Sequence, residues 1–141
     1  MTSNLGESLH RFIHCYKTVL KNTITSADLG LQISHIRALK CINKTSNCSA
    51  QAISQKMMLD KSQVTRIIKE LVTKGHIEKH PNPDNYRSQL LILTQTGQKI
   101  LRDIAHLEDT TSKKMTAGLT DQQTQEFEQL VDIMMSNLRK P

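Results

Sequence analysis

The sequence predicts a mostly α protein with a small β-hairpin, arranged as a helix-turn-helix followed by a wing. Three observations predict this class. Apolar residues recur at helical spacing along most of the 141 residues. Two short helical patterns meet at a turn at Leu59 and Asp60. Two short strand patterns then flank a segment that holds Pro81, Pro83 and Asn85, which are turn-forming residue types.

Each predicted helix follows from an apolar repeat and a boundary residue. We predict a first helix over 5–26, broken at Gly30, and a second helix capped by Ser34 that ends near Lys44. Ser49 is expected to cap a short third helix. The apolar residues of the first helix are Leu5, Leu9, Phe12, Ile13, Tyr16, Val19 and Leu20.

The fourth helix has the clearest signals. Residues 45–48 read as a polar turn before the third helix. Asp60 and Gln63 match a capping box that fixes the start of the fourth helix, and Gly75 supplies a left-handed end. One face of this helix is predicted to be buried, with apolar residues Val64, Ile67, Ile68, Leu71 and Val72.

A hairpin and two further helices complete the chain. Residues 76–80 and 90–93 are predicted strands, and Pro81 is expected to end the first one because proline cannot continue a strand. A fifth helix follows, and Thr120 with Gln123 forms a capping box that opens a final helix. That helix carries an apolar stripe of Phe127, Leu130, Val131, Met134 and Leu138.

Composition restricts the function classes. The net charge is +6, and the positive charge lies in the first two thirds of the chain, which favours nucleic acid or an anionic surface as partner. Three cysteines without a CxxC pair suit a reducing compartment. No apolar run approaches the roughly 20 residues that cross a bilayer. We therefore expect a soluble cytoplasmic protein that does not enter a membrane.

The exposed face of the fourth helix predicts DNA contact. It mixes cations with short hydrogen-bonding groups, the set that can read base edges and hold phosphates in a major groove: Lys61, Ser62, Gln63, Thr65, Arg66 and Lys69. Lys61 and Lys69 fit phosphate contacts. Gln63 and Thr65 are candidates for base edges or for an ordinary solvated face. Arg66 is open to three roles: base reader, phosphate clamp or solvated cation.

Four segments and Arg87 resemble the winged helix-turn-helix of the MarR (multiple antibiotic resistance regulator) family. Residues 52–56 resemble its "(L)A-x-x-L" helix, 60–71 its "D-x-S-x-V-T-R-x-x-x-x-L" recognition helix, and 74–79 its "K-G-L-I-x-R" segment. Arg87 and residues 93–97 resemble the wing's "D-x-R … L-T-x-x-G". The order of elements, with two helices before and two after, matches the family over nearly the whole chain.

The resemblance implies a transcription regulator that binds double-stranded DNA as a homodimer on a pseudo-palindromic operator. It implies three regions of one structural domain: 1–48 (dimerisation and support), 49–94 (the DNA-binding lobe) and 95–141 (dimerisation). A small aromatic effector would relieve repression. The implied DNA-binding residues are Ser49, Lys61, Ser62, Gln63, Thr65, Arg66, Lys69, Asn85, Tyr86 and Arg87. The expected dimer interface contains Leu5, Leu9, Phe12, Phe127, Leu130, Val131 and Met134.

One position departs from the family pattern. The family has Asp where this chain has Asn85, and that Asp orients the wing arginine, which enters the minor groove. Here Asn85 would act as a neutral acceptor, or Asp84 would reach round. Tyr86 would pack on the sugar-phosphate backbone or support the hairpin.

Other functions are less well supported by the sequence. His10 and His14 have i, i+4 spacing suited to a metal, but no dense ligand cluster accompanies them, so no metal or cofactor is predicted. Cys15 could sense redox state or be a small packed residue. No catalytic motif is present, and we predict no enzyme. The alternatives to a ligand-relieved repressor are a winged-helix protein-interaction module and a metal- or redox-responsive regulator.

Overall fold

The computed structural model describes residues 3–141 and confirms the predicted fold class. Within these residues the structure has six helices and one antiparallel hairpin. The contacts divide the chain into a first compact unit that ends at Glu108 and a second over residues 109–141. The elements are α1 (Leu5–Ser26), α2 (Ile33–Lys44), α3 (Ala50–Met57), α4 (Lys61–Thr73), β1 (Ile77–Pro81), β2 (Gln89–Leu93), α5 (Gln95–Met115) and α6 (Asp121–Arg139).

The bounds of α1 are confirmed, but two boundary residues were predicted wrongly. α1 ends at Ser26, and Gly30 lies in the following link with φ +67°, so it shapes the link and does not break the helix. α2 begins after Gln32, not after Ser34. Gln32 has extended backbone, and its N–H donates to Nδ1 of His35 at 3.1 Å, which leaves Ser34 inside the first turn.

The predicted caps of α3 and α4 are confirmed. The Ser49 hydroxyl accepts from the backbone N–H of Ala52 at 3.2 Å. Asp60 Oδ1 accepts from the N–H of Gln63 at 2.8 Å, and Gln63 Oε1 accepts from the N–H of Asp60 at 3.2 Å. These bonds satisfy helix-start N–H groups and fix where α4 begins relative to α3. Gly75 has φ +78°, the left-handed end expected for α4.

The core of the first unit joins α1, α2, α3, α4, the hairpin and α5. Its most deeply buried side chains include Leu39, Ile53, Leu71 and Ile77. Val72 was predicted to be buried with the other apolar residues of α4, yet it is 38% exposed. It lies about 100° around the helix from Leu71, and the narrower stripe at i, i+3, i+4 and i+7 already fills the contact.

Cys48 was predicted in a polar turn, but it is 1% exposed and belongs to the core. Burial raises the pKa of its thiol to about 11, so the thiol is protonated and packs as a small apolar group. The carbonyl of Cys48 accepts from the N–H of Leu91 at 2.8 Å. The segment before α3 is therefore tied to β2 of the hairpin.

The hairpin pairs β1 with β2 in antiparallel register, from Ile77 opposite Leu93 to Pro81 opposite Gln89. Pro81 was expected to stand outside the strand, but it is the last paired residue of β1. Proline is tolerated there because the final position of a short strand does not require its missing N–H.

The base of the hairpin is closed by the Thr-x-x-Gly segment. Thr94 Oγ1 donates to the carbonyl of Gly75 at 2.6 Å and accepts from the N–H of Gly97 at 3.1 Å. A Cβ on Gly97 would lie 2.1 Å from the carbonyl oxygen of His76, so this position requires glycine. These contacts fix the wing against the end of α4.

In the second unit, α6 begins at the predicted capping box of Thr120 and Gln123. Phe127 and Leu130 are exposed on it, and Val131 and Met134 are half-buried. Among residues 3–141, no helix combines the length and apolar character that crossing a membrane requires.

Candidate nucleic-acid interface

The structure places the predicted polar residues of α4 on one exposed surface. The buried stripe of α4 is Val64, Ile67, Ile68 and Leu71. The exposed residues are Lys61, Ser62, Gln63, Thr65, Arg66 and Lys69. We call these six residues the α4 face. Because the opposite stripe is fixed in the core, this face is presented by a rigid element.

Two members of the α4 face already use part of their hydrogen-bonding capacity. Gln63 Oε1 accepts from the N–H of Asp60, which leaves the amide N–H groups of Gln63 to donate outward. Thr65 Oγ1 donates to the carbonyl of Lys61 at 2.8 Å. The oxygen keeps lone pairs that can accept, and the side chain is exposed. Gln63 can therefore donate to a base edge, and Thr65 can accept from one or contact a thymine methyl.

Arg66 is not an isolated cation. Its Nε lies 4.0 Å from a carboxylate oxygen of Glu70, one turn further along α4, and its side chain is 69% exposed. The other carboxylate oxygen of Glu70 contacts Nε2 of the buried His35 on α2. No local pattern predicts this contact, because the two residues are 35 positions apart.

The wing and the recognition helix share one cleft of about 400 Å³. Thr65 lines it from α4, and Lys79, Asn85 and Arg87 line it from the hairpin. The cleft therefore brings Thr65 of the α4 face to the same concave surface as Asn85 and Arg87 of the wing. Lys79 was not among the predicted site residues, although its place in the strand made it a candidate cation.

The tip of the wing is organised by asparagine side chains. Asn85 Oδ1 accepts from the backbone N–H of Arg87 at 3.1 Å. Asn82 Oδ1 accepts from the N–H of Asp84 at 3.0 Å. Asn85 thus acts as a neutral acceptor for the backbone and leaves the guanidinium of Arg87 exposed. Tyr86 is 88% exposed beside it.

The side chain of Ser49 differs from those of the α4 face because it caps a helix. It is half-buried, and its oxygen caps α3, while its O–H proton is still able to donate. Its contact with DNA stays a prediction.

A second cleft, of about 800 Å³, lies in the first unit between α1, α2, α3 and α5. Its apolar wall includes Leu20, Ile24 and Ile104. Five cations and one carboxylate stand around it: Lys17, Arg37, Lys40, Lys44, Lys56 and Glu108. We call it the basic-rimmed cleft. An apolar wall with a cationic rim suits a small molecule that has a flat apolar body and an anionic group.

The other candidate residues do not assemble into a site. His10, His14 and Cys15 are all exposed on α1. Within the part of the chain that the structure describes, no three His, Cys, Asp or Glu residues come together as a metal site requires.

The consecutive helices α3 and α4, the exposed polar face of α4 and the adjoining hairpin define a winged helix-turn-helix. Residues 31–89 match the model of the MarR family. The sequence is similar to the HTH-type transcriptional regulator BilQ of Clostridioides difficile (strain CD3), with 39% identity over 66 residues. That match covers 47% of this chain and 45% of BilQ.

The fold extends beyond the matched segment. A mutant of E. coli MarR in complex with operator DNA has a TM-score of 0.78 and 23% identity, over 92% of both chains. BpsR of Bordetella bronchiseptica, whose DNA binding is regulated by 6-hydroxynicotinic acid, has a TM-score of 0.77 and 18% identity, over 92% of this chain and 91% of BpsR. The chain spans 45–66% of the length of three curated relatives that it matches, BilQ among them.

Proposed function

We propose that this protein is a sequence-specific, double-stranded DNA-binding transcription regulator and not an enzyme. One observation carries the proposal: Thr65 of the exposed α4 face and the wing arginine Arg87 line the same cleft. A helix of this kind enters a major groove, and an arginine at the wing tip reaches the flanking minor groove. Two curated relatives of this protein are named as transcription regulators, which supports the same function.

The residues divide into two roles by their chemistry. Lys61, Lys69 and the hydroxyls of Ser49 and Ser62 position the protein on phosphates, which carries no sequence information. Gln63, Thr65 and Arg66 face base edges. Asn85 shapes the wing turn, Tyr86 packs on the sugar-phosphate backbone, and Arg87 enters the minor groove.

We further propose a homodimer that binds a pseudo-palindromic operator in the cytoplasm, where a transcription regulator meets its DNA. Two recognition helices would enter successive major grooves about 10–10.5 base pairs apart. The apolar residues of α1 and α6 would form the subunit interface, and their exposure supports this assignment.

The basic-rimmed cleft is the proposed effector site, and repression relieved by a ligand is the proposed mode of action. Its ligand class would be a small aromatic molecule with a carboxylate or phenolate group. The regulation of BpsR by 6-hydroxynicotinic acid supports a ligand of this chemistry. Binding would change DNA affinity only if the ligand favours one conformation of the lobe over another.

The test begins with selection of duplexes from a random pool by the full chain. The expected result is an inverted-repeat operator whose affinity falls steeply as salt rises, because several cations displace counterions from DNA. A protein that enriches no duplex, or that binds duplexes independently of salt, would instead be a protein-interaction module.

A further inference from the structure

A chain of three side chains connects the start of α2 with the exposed α4 face. His35, in the first turn of α2, is 4% exposed. Its Nε2 contacts one carboxylate oxygen of Glu70 on α4. The other oxygen of Glu70 lies 4.0 Å from Nε of Arg66. The exposed guanidinium is thereby linked to a buried imidazole through a single carboxylate.

The hydrogen bonds of His35 define which atoms in this series of three side chains donate and which accept. Its Nδ1 faces the backbone N–H of Gln32 at 3.1 Å. A backbone N–H can only donate, so Nδ1 holds a lone pair and the ring proton is on Nε2. Nε2–H then donates to Glu70. One buried imidazole therefore caps α2 and fixes the position of the Glu70 carboxylate.

The fixed carboxylate changes what its ion pair can do. An exposed ion pair contributes little when two long side chains must both be ordered to form it. Here His35 already orders Glu70, so only Arg66 loses freedom. The pair therefore restricts where the guanidinium points, and a side chain oriented before binding loses less entropy when it binds.

The charge of Glu70 also argues for a role in selectivity. A carboxylate beside a DNA-facing surface repels phosphates and lowers affinity for every duplex alike. A half-exposed carboxylate at this place is unfavourable for general DNA binding. It is favourable if it aims an arginine at one base pattern, because a bidentate contact with guanine requires the guanidinium plane to be aligned.

We propose that Glu70, held by His35, is a positioning residue that orients Arg66 and thereby sets base selectivity. This inference rests on the proposed DNA-binding function. Glu70 itself touches no base: its two oxygens are directed at His35 and Arg66.

The main test compares Glu70→Gln with the wild type on the selected operator and on a scrambled duplex of equal composition. The Gln amide oxygen can still accept from His35, so the variant removes the charge that faces Arg66 and keeps the shape. We expect the ratio of operator to scrambled affinity to fall by about 5-fold or more, the lower end of a lost bidentate base contact. Affinity for the scrambled duplex should stay or rise.

Glu78→Gln is the matched control, because Glu78 is an exposed acid of β1 in the same lobe and does not contact Arg66. Removing its charge should raise affinity for both duplexes alike and leave the ratio unchanged. An equal fall in the ratio for both variants would overturn the positioning role.

A double-mutant cycle separates positioning from a structural role. In an Arg66→Ala background, Glu70→Gln should cause no further loss of selectivity, because nothing remains for Glu70 to orient. Additive losses would overturn the proposal. In the DNA-free protein, the Nε–H resonance of Arg66 should be ordered in the wild type and averaged in Glu70→Gln. Identical Arg66 resonances would also overturn it, even if a variant bound DNA poorly.

The outcomes distinguish this inference from the proposed function. If the wild type selects an operator and Glu70→Gln keeps the full ratio, the positioning role is wrong and the DNA-binding function stands. If the wild type selects no operator at all, the proposed function fails and the role of Glu70 fails with it.

Discussion

At the scale of single residues, Asn85 explains how the wing tolerates a departure from the family pattern. Its side-chain oxygen accepts from the backbone N–H of Arg87 and so bends the tip into a local turn. A carboxylate is not needed for that bond. The guanidinium of Arg87 stays exposed, and an arginine is favourable in a narrow minor groove through its charge alone.

The first prediction is that Arg87→Ala weakens operator binding by about 1–3 kcal/mol, as expected for a lost arginine contact with DNA. The fold should be unchanged because Arg87 is exposed at a turn. Footprinting and titration at matched salt give the measurement. Arg102→Ala, which removes an exposed arginine of α5, is the control. Equal affinities for wild type and Arg87→Ala would mean that the wing is not inserted.

His76 makes stability depend on pH. His76 is 8% exposed. Among the buried side-chain nitrogen and oxygen atoms of residues 3–141, its Nδ1 is the one without a hydrogen-bond partner. Burial lowers the pKa of His76 below its ordinary value of 6.5, and Lys74 and His35 lower it further. The unfolded chain therefore binds a proton more readily than the folded protein in the window below 6.5.

The second prediction follows from that sign. Stability conferred by neutral His76 is present above about pH 6.5 and is lost as pH falls through the folded pKa. His76→Gln should show a smaller fall in the free energy of unfolding between about pH 7.5 and 5.5 than the wild type. Urea unfolding at both pH values measures it. His10→Gln, on an exposed residue of α1, is the control. A wild-type slope retained in His76→Gln would assign the dependence to other groups.

At the scale of elements, the parts predicted well are those that neighbouring residues decide. The bounds of α1, the caps Ser49, Asp60 and Thr120, and the glycine at the end of α4 all follow from local hydrogen bonds and spacing. The order of helices and hairpin follows from periodicity. The resemblance of the wing segment identified its Thr-x-x-Gly residues, but it did not predict that they close the hairpin or that the His76 carbonyl requires the glycine.

The parts predicted poorly depend on contacts between distant segments. Cys48 is buried because β2 passes over it, which the polar residues around it conceal. Gln32 caps α2 through a hydrogen bond with His35. Glutamine is a less common helix cap than serine, which is why Ser34 was predicted instead. The link from His35 to Glu70 joins two helices and has no signature in either. The α4 face was predictable because it follows from the spacing of residues within one helix. The orientation of Arg66 by Glu70 and His35 was not predictable, because it depends on a contact between two helices.

The third prediction tests whether different residues of α4 position the protein on phosphates and read the bases. Lys69→Ala should lower affinity for operator and scrambled duplexes alike and flatten the salt dependence by about one phosphate. Arg66 and Gln63 stay in place, so the ratio of the two affinities should change little. Binding across a salt series measures both quantities. Lys114→Ala, at an exposed lysine in the last turn of α5, should leave the slope unchanged.

A loss of affinity confined to the operator would assign Lys69 to base reading and contradict the division of roles on the α4 face. An unchanged dependence of affinity on salt would place Lys69 away from phosphate. Either result would require a different docking angle for α4, because Lys69 lies near the middle of the helix.

At the scale of the whole molecule, each of the two units exposes apolar side chains that a monomer leaves in contact with water. Leu5, Leu9 and Phe12 on α1 are between 37% and 51% exposed. On α6, Phe127 is 46% and Leu130 is 55% exposed. Exposed apolar residues at regular helical spacing are typical of an interface. A chain that is 37% hydrophobic and has no tryptophan also gains from sharing burial between subunits.

The last prediction tests that interface at its most exposed apolar position among the α6 residues assigned to it. Leu130→Asp would place a carboxylate in the proposed contact, where a charge without a partner is strongly unfavourable, and a two-fold interface would contain the change twice. The variant should sediment as a monomer or aggregate and lose operator binding. Gln129→Asp adds the same charge one residue away on the exposed polar side of α6 and should remain a dimer. A soluble Leu130→Asp dimer that binds the operator would show that subunits associate through another surface, because a buried aspartate pair could not be accommodated without loss of affinity.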